Sequence, residues 1–370
     1  MPVNGFAQGC LSYKFLFLFI VAAAASCIVQ AESSDIKFPP SPQGASEFTY
    51  PHKLIDVGNG RRINIDCRGT GSVTVVFDSG LSDWSSIWAL IQPTVAAHTR
   101  ACTYDRAGMG YSDPAIVPST PENIVRDLHT LLDTAGISGP LVMVGHSLGG
   151  FNMKLYAATY PRQVVGLVLV DPSEEFGEKR TNAALRSKFG DQVIAKYRMN
   201  DQRELIKQIT QYAACSDAAR AGDLDSESAF YKKCTDPVRP PLGREIADAR
   251  KQIQIKYAYQ AAQQSELADS VYQVPANAEL DTRYAALFAG SRPFGNLPLI
   301  VLSSTIVDPD QPFSDIGHDE NLLLHEQTAA LSTRGLHRPI PNTHHNIEVD
   351  NPQAIIDAVA EVLKTCCAVE

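Results

Sequence analysis

The stretch Leu141-Val142-Met143-Val144-Gly145-His146-Ser147-Leu148-Gly149-Gly150 decides the fold. Residues 141–144 are all apolar and read as a buried strand. Gly145-His146-Ser147-Leu148-Gly149 fits Gly-x-Ser-x-Gly, and residues 151–159 read as a helix. Strand, tight turn and helix form the setting in which this motif presents a nucleophile. A turn that sharp crowds the residues two before and two after the serine, so both must lack a side chain. It leaves the Ser147 hydroxyl at a helix N-terminus, where developing negative charge is favoured. The competing reading is a glycine-rich turn in a dinucleotide-binding sheet. That reading requires Gly-x-Gly-x-x-Gly, which the sequence does not contain.

Strand and helix patterns alternate on both sides of this unit. Upstream, residues 53–57 and 62–67 read as two strands joined at Gly58-Asn59-Gly60. Residues 72–77 and 100–105 read as further strands and residues 88–97 as a helix. Residues 123–135 carry Ile124, Leu128, Leu131 and Leu132 at helical spacing. Downstream, residues 164–170 are a strand pattern that resumes at 299–302. Between them, residues 174–296 turn helical, polar and tyrosine-rich. Residues 321–332 read as a helix, Pro339 to Pro341 border a last short strand, and residues 352–364 close as a helix. Such alternation predicts a mostly parallel sheet covered by helices on both faces.

The 370 residues leave room for one large domain and an insertion, and 44% hydrophobic with 20% charged residues is ordinary for a soluble globular protein. The N-terminus departs from that average. Lys14 precedes an apolar run over residues 15–25, too short for a stable bilayer span. Val29-Gln30-Ala31 follows as a cleavage site, so residues 1–31 read as a signal peptide cut after Ala31. The expected product is secreted or periplasmic, without a membrane span, and begins with a loose Ser- and Pro-rich lead-in over 32–50. Ala25-Ser26-Cys27 resembles a lipoprotein site weakly, without its preferred leucine. The net charge of −9 disfavours nucleic acid and anionic membranes as partners. Export permits disulfides. Cys215 and Cys234 lie in the same polar insertion and are the expected pair; Cys67 pairs with Cys102 if their strands are neighbours. No Cys-x-x-Cys pair or His-rich tract suggests a metal, and no organic cofactor is implied.

A serine is a weak nucleophile until a base takes its proton. The candidate base is His345, placed between the last strand and the closing helix in His344-His345-Asn346-Ile347-Glu348-Val349-Asp350. His344 competes for that role, but one of two neighbours points away when the other points in. His146, inside the turn, reads as a packing and hydrogen-bonding residue. The base needs a carboxylate to fix its tautomer. Asp171 ends the strand after the nucleophile strand, and Asp308 follows the next one; either loop reaches the histidine. The oxyanion needs two backbone donors. These are expected to be the amide of Leu148 and, from Asp78-Ser79-Gly80-Leu81-Ser82, the amide of Leu81.

The chain resembles an α/β-hydrolase-fold serine hydrolase of a bacterial, secreted, esterase-like branch. Ser79-Gly80-Leu81 with Trp88, the run from Tyr104 to Asp113, Gly145 to Gly150, and His345 ahead of Asp350 and Pro352 carry the likeness. It implies an eight-stranded, mostly parallel sheet with an antiparallel second strand. It implies a core over 51–173 and 297–370, and a helical cap over 174–296 inserted after the sixth strand. In such a sheet the strands of Cys67 and Cys102 are adjacent. The implied activity is hydrolysis of a small-molecule carboxylic ester. Acyl transfer, lactone, amide or C–C bond cleavage by the same triad are alternatives, and a non-catalytic binding protein is a remote one. Dehalogenase and epoxide hydrolase chemistry is disfavoured, because those relatives carry Asp at the position of Ser147. Two departures stand out: Ser79 replaces a usual histidine, and Ser303 occupies a usual glycine with Asp308 set late. Asp171 is therefore the preferred acid. The cap aromatics Tyr197, Tyr212, Tyr231, Tyr257, Tyr259, Tyr272, Tyr284, Phe230 and Phe288 line an acyl pocket or form the cap's own core.

Overall fold

The computed structural model describes residues 38–271, 278–290 and 292–366. The expected signal peptide and cleavage site, Tyr272 and Cys367 lie outside the described residues.

Eight strands form one sheet among the described residues. They are β1 (Lys53–Asp56), β2 (Arg62–Arg68), β3 (Thr74–Asp78), β4 (Arg100–Tyr104), β5 (Leu141–His146), β6 (Val164–Val170), β7 (Leu299–Ser303) and β8 (Gly335–Pro339). Their order is β1-β2-β4-β3-β5-β6-β7-β8; β2 is antiparallel to both neighbours and the remaining pairs are parallel. The helices are α1 (Gln92–Ala96), α2 (Pro121–Thr134), α3 (Leu148–Thr159), α4 (Gly177–Phe189), α5 (Asp191–Ala221), α6 (Arg244–Gln254), α7 (Tyr257–Ala268), α8 (Ala278–Leu287), α9 (Ser314–Ala329), α10 (Ile347–Asp350) and α11 (Pro352–Cys366).

Successive strand residues point to opposite faces, and both faces are dry. Met143, Leu167, Leu169, Leu299 and Val301 pack into one hydrophobic cluster with Leu128 and Leu131 of α2 and Phe151 of α3. Val142, Val144, Val168, Val170, Ile300 and Leu302 pack into the other with Ile355, Val359 and Val362 of α11. This two-sided burial is why the central strands read as continuous apolar runs instead of alternating.

Two boundaries differ from expectation. The helix expected over 88–97 is a 3-10 turn, Ser85–Leu90, followed by α1. Pro93 sits in the first turn of α1 and has no N–H to carry an α-helical ladder back through the preceding turn. The helix expected at 321–332 starts earlier, at Ser314, where Gly317 and an acidic run hide the period. β8 ends at Pro339, so the stretch from Pro339 to Pro341 borders the last strand as expected; the strand is a half-exposed edge with His337 and Arg338.

Between β6 and β7 the chain is helical, from α4 through α8. The first end of α5 packs on α4 and α9 through Ile194 and Tyr197; its far end packs near α7. Cys215 and Cys234 are bridged there, and so are Cys67 and Cys102 across the β2–β4 pair.

The register fixes where chemistry can gather. His146 pairs with Val170 and Val170 with Leu302, so the residues after them, Ser147, Asp171 and Ser303, lie abreast at the carboxyl ends of β5, β6 and β7. That edge is where open α/β sheets bind ligands.

Candidate active site

The turn after β5 is tight enough to forbid side chains beside it. A Cβ on Gly145 would lie 2.3 Å from the Gly149 carbonyl oxygen, and one on Gly149 would lie 2.4 Å from the Asp78 carbonyl oxygen. Ser147 pivots the chain at φ 51°, ψ −120°, a conformation that ordinary residues avoid. Its amide donates to Val170 O (3.0 Å) and its carbonyl accepts from Ser173 N (2.9 Å), which locks the pivot to the end of β6. Leu148 opens α3, so its amide is among those with no intrahelical partner.

Ser147 and His345 line one cleft of about 400 Å³ together with Gly80, Leu81 and His146. His345 Nδ1 donates to Asp171 Oδ2 at 2.7 Å. Asp171 is itself 4% exposed and held in the left-handed region at φ 43°. Ser304 grips it twice, N to Oδ1 at 2.9 Å and Oγ to Oδ2 at 3.0 Å. Burial alone would raise the Asp171 pKa, but the bond to His345 and that ring's charge hold it well below the usual carboxylate range. Burial in the cleft pushes His345 down, and its bond to Asp171 outweighs this, so its pKa is raised above the ordinary 6.5. Over half of its side-chain surface stays open.

The competing residues lie elsewhere. His344 is exposed and folds back onto Asp350, with Nδ1 at 2.9 Å from Oδ2. Asp308 is exposed and caps its own loop, accepting from Asp310 N at 3.0 Å. His146 is buried; its Nε2 donates to the His345 carbonyl at 2.9 Å. Its Nδ1 lies 3.2 Å from Glu348 Oε1, out of line for a hydrogen bond. Desolvation, with the nearby His345 charge, lowers the His146 pKa to about 3, so this ring stays neutral.

Leu81 sits on a loop braced by residues that sequence reasoning did not single out for this purpose. Arg106 is buried and donates to the carbonyls of Ser79 (2.6 Å), Gly80 (2.7 Å) and Asp83 (3.2 Å). It also binds Asp78 at 2.7 Å and Glu266 at 2.6 and 3.0 Å. Glu266, from α7, accepts the Ser82 amide at 3.0 Å. Ser79, in place of the usual histidine, accepts from Trp88 Nε1 at 3.0 Å. A Cβ on Gly80 would lie 2.7 Å from His146 Nδ1, so only glycine lets this loop approach the turn. Arg106 lay inside a quoted motif; Glu266 had no local signal at all.

The far wall of the cleft comes from the segment between β6 and β7: Leu205, Gln208 and Tyr212 of α5, Asp236 and Arg239 of a loop, and Leu267 of α7. Of the tyrosines expected there, Tyr212 lines the cleft. Tyr197, Tyr231 and Tyr259 are buried in small apolar clusters, whereas Tyr284 and Phe288 join the main core cluster beside Phe151. Tyr257 and Phe230 are exposed.

Residues 73–266 match the family described as alpha/beta hydrolase fold, and the chain belongs to that family. It is similar to the Bacillus subtilis protein YqjL, 32% identical over 106 residues that cover 29% of this chain and 42% of that one. It is similar to the (lyso)-N-acylphosphatidylethanolamine lipase of Mus musculus, 33% identical over 102 residues, 26% of this chain and 30% of that one. These matches thus span under half the length of either relative. Among solved structures, a putative lipase of Acinetobacter baumannii superposes with a TM-score of 0.58 at 16% identity, over 91% of this chain and 98% of that one. At that identity the likeness shows the fold alone. No helix among the described residues is long and apolar enough to cross a membrane.

Proposed function

We propose that the chain is a secreted or periplasmic serine hydrolase of carboxylic esters, with Ser147 as nucleophile, His345 as base and Asp171 as its orienting acid. The observation that carries this is the 2.7 Å bond from His345, which lines the same cleft as Ser147, to buried Asp171. The Ser147 hydroxyl oxygen attacks the ester carbonyl while its proton passes to His345. The amides of Leu148 and Leu81 receive the oxyanion. Collapse breaks the bond to the alcohol, which leaves with the proton from His345. Water then attacks the acyl-serine by the same relay and frees the acid. Asp171 stays ionised throughout, which its lowered pKa favours. Residues 174–296 act as a cap that shapes the cleft and sets specificity. The likeness to a lipase acting on an acylated lipid supports an acyl-group hydrolase.

Turnover of p-nitrophenyl esters of graded chain length, beside a lactone and an amide, tests the reaction class. Ester turnover that exceeds the other two is expected. Amide or lactone turnover above every ester would overturn the ester reading while leaving the triad.

A further inference from the structure

Behind Asp171 lies a second hydrogen-bonded chain that the triad reading does not use. Ser303, the residue in the usual glycine position at the end of β7, has its Oγ 2.6 Å from His325 Nδ1 and 2.7 Å from His337 Nε2. His325, on α9, is 1% exposed, and its Nε2 lies 3.0 Å from the Pro172 carbonyl. A carbonyl only accepts, so Nε2 must carry the proton. In the neutral ring Nδ1 is then a lone pair, and Ser303 must donate to it. Its hydroxyl proton being spent, Ser303 accepts from His337 Nε2–H. One obligate acceptor thereby orders every proton in the chain.

The order matters because His325 Nδ1 also lies 3.9 Å from Asp171 Oδ1. We propose that His325 is a positioning residue for the Asp171–His345 pair, locked by Ser303 and His337 in the tautomer that turns a lone pair, and no N–H, toward the triad acid. The inference rests on the triad reading above. Asp171 then receives donors from His345 and Ser304 and meets no rival imidazole. Without the Ser303 hydroxyl nothing donates to Nδ1, and a ring still bound to Pro172 O through Nε2–H can take a second proton at Nδ1, where that N–H competes with His345 for the carboxylate. Other charged groups near the ring are engaged. Glu174 binds Lys154 Nζ at 2.6 Å and Arg180 Nη1 at 2.8 Å, and His337, beside Glu326, faces His325 across Ser303.

The test is the rate at which a fluorophosphonate labels Ser147, measured from pH 5 to 9 by intact mass, with folding checked by circular dichroism. The serine oxygen displaces fluoride from phosphorus as its proton passes to His345, so the acid limb reports His345. Ser303→Ala is expected to label on the order of tenfold more slowly near neutral pH, a fraction of the roughly 10⁴ that loss of an orienting acid costs. Its acid-limb midpoint is expected below that of the wild type. Adding His325→Gln, whose amide still donates to Pro172 O, is expected to restore both rate and midpoint. Should Ser303→Ala fail to fold, the nearly isosteric Ser303→Cys, a weaker donor, carries the same comparison. An unchanged rate and midpoint overturns the inference alone. So does a slow rate with an unmoved midpoint that His325→Gln does not relieve, which marks Ser303 as structural only. A folded wild type that is not labelled at Ser147 overturns the triad reading and this inference with it.

Discussion

Ser147 and Asp171 both hold positive φ, 51° and 43°, although neither is glycine. Each such conformation costs about 1–3 kcal/mol and persists only where the surroundings over-determine it. Here the surroundings are Val170 O and Ser173 N at the serine, and Leu302 O and Ser304 at the aspartate. The strain at both residues faces the same cleft edge, as expected of a paired role. Asp171→Asn should leave substrate binding nearly intact and cut kcat by up to about four orders of magnitude, since the histidine loses its orienting partner. Asp308→Asn should stay near wild type. Steady-state kinetics on one ester at equal foldedness checks both, and collapse in the second variant alone would reverse the assignment. The proposed mechanism needs neutral His345, whose pKa is raised, so kcat/KM should rise with pH through a midpoint above 6.5. The serine and the histidine were legible because each sits in a local pattern. The acid was not settled by sequence, since topology puts both Asp171 and Asp308 after strands near the nucleophile. What supports Asp171 in the proposed role is Ser304, a residue of β7's following loop that grips its carboxylate from 133 positions away in sequence.

At the scale of elements, the loop after β3, the proposed oxyanion loop, depends on two others. Arg106, from the loop after β4, and Glu266, from α7, meet across 160 positions of sequence and together fix the carbonyls of Ser79 and Gly80 and the amide of Ser82. No period or spacing announces such a contact, which is why Glu266 escaped the reading of the sequence. The pairing also ties the helices after β6 to the sheet. Breaking a buried ion pair by removing one partner leaves an uncompensated charge and costs about 3–5 kcal/mol. Arg106→Ala strands both Asp78 and Glu266 and should lower stability by at least that much in urea titration. Glu266→Gln keeps an acceptor for Ser82 and should cost less, with its larger effect on kcat. Equal stability of Arg106→Ala and wild type would show that the loop is held by other means. Helix boundaries were less legible than helices: Pro93 and the polar start of α9 shifted elements whose existence the sequence pattern had already indicated.

For the whole molecule, the alternation of strand and helix patterns and the polar insertion were readable because each central strand is buried on both faces. Which side chains the insertion sends to the cleft was not, since polar helices such as α5 carry no apolar stripe to orient them. The buried charges of the site also reach into global stability. Glu348 is fully buried, and desolvation pushes its pKa up from 4.5 to about 7. A folded pKa above the unfolded value means that the native state holds the proton more tightly. Its contribution is present below about pH 4.5 and is lost as pH rises through 7, a swing on the order of 3 kcal/mol. His146, with its lowered pKa, runs the other way and costs stability as pH falls below 6.5. Glu348→Gln removes one titration and leaves the other. Its Tm should exceed that of the wild type at pH 8 and converge with it near pH 5; a constant difference across that range would mean Glu348 is already ionised when folded. The central claim is covalent catalysis at Ser147. Rapid quenching of a p-nitrophenyl acetate reaction, followed by peptide mapping, tests it most directly. The account predicts an acetyl group on the Ser147 peptide within the first turnover, gone in Ser147→Ala together with ester turnover. Continued hydrolysis with Ser147 unmodified, or a folded Ser147→Ala that retains turnover, would contradict it.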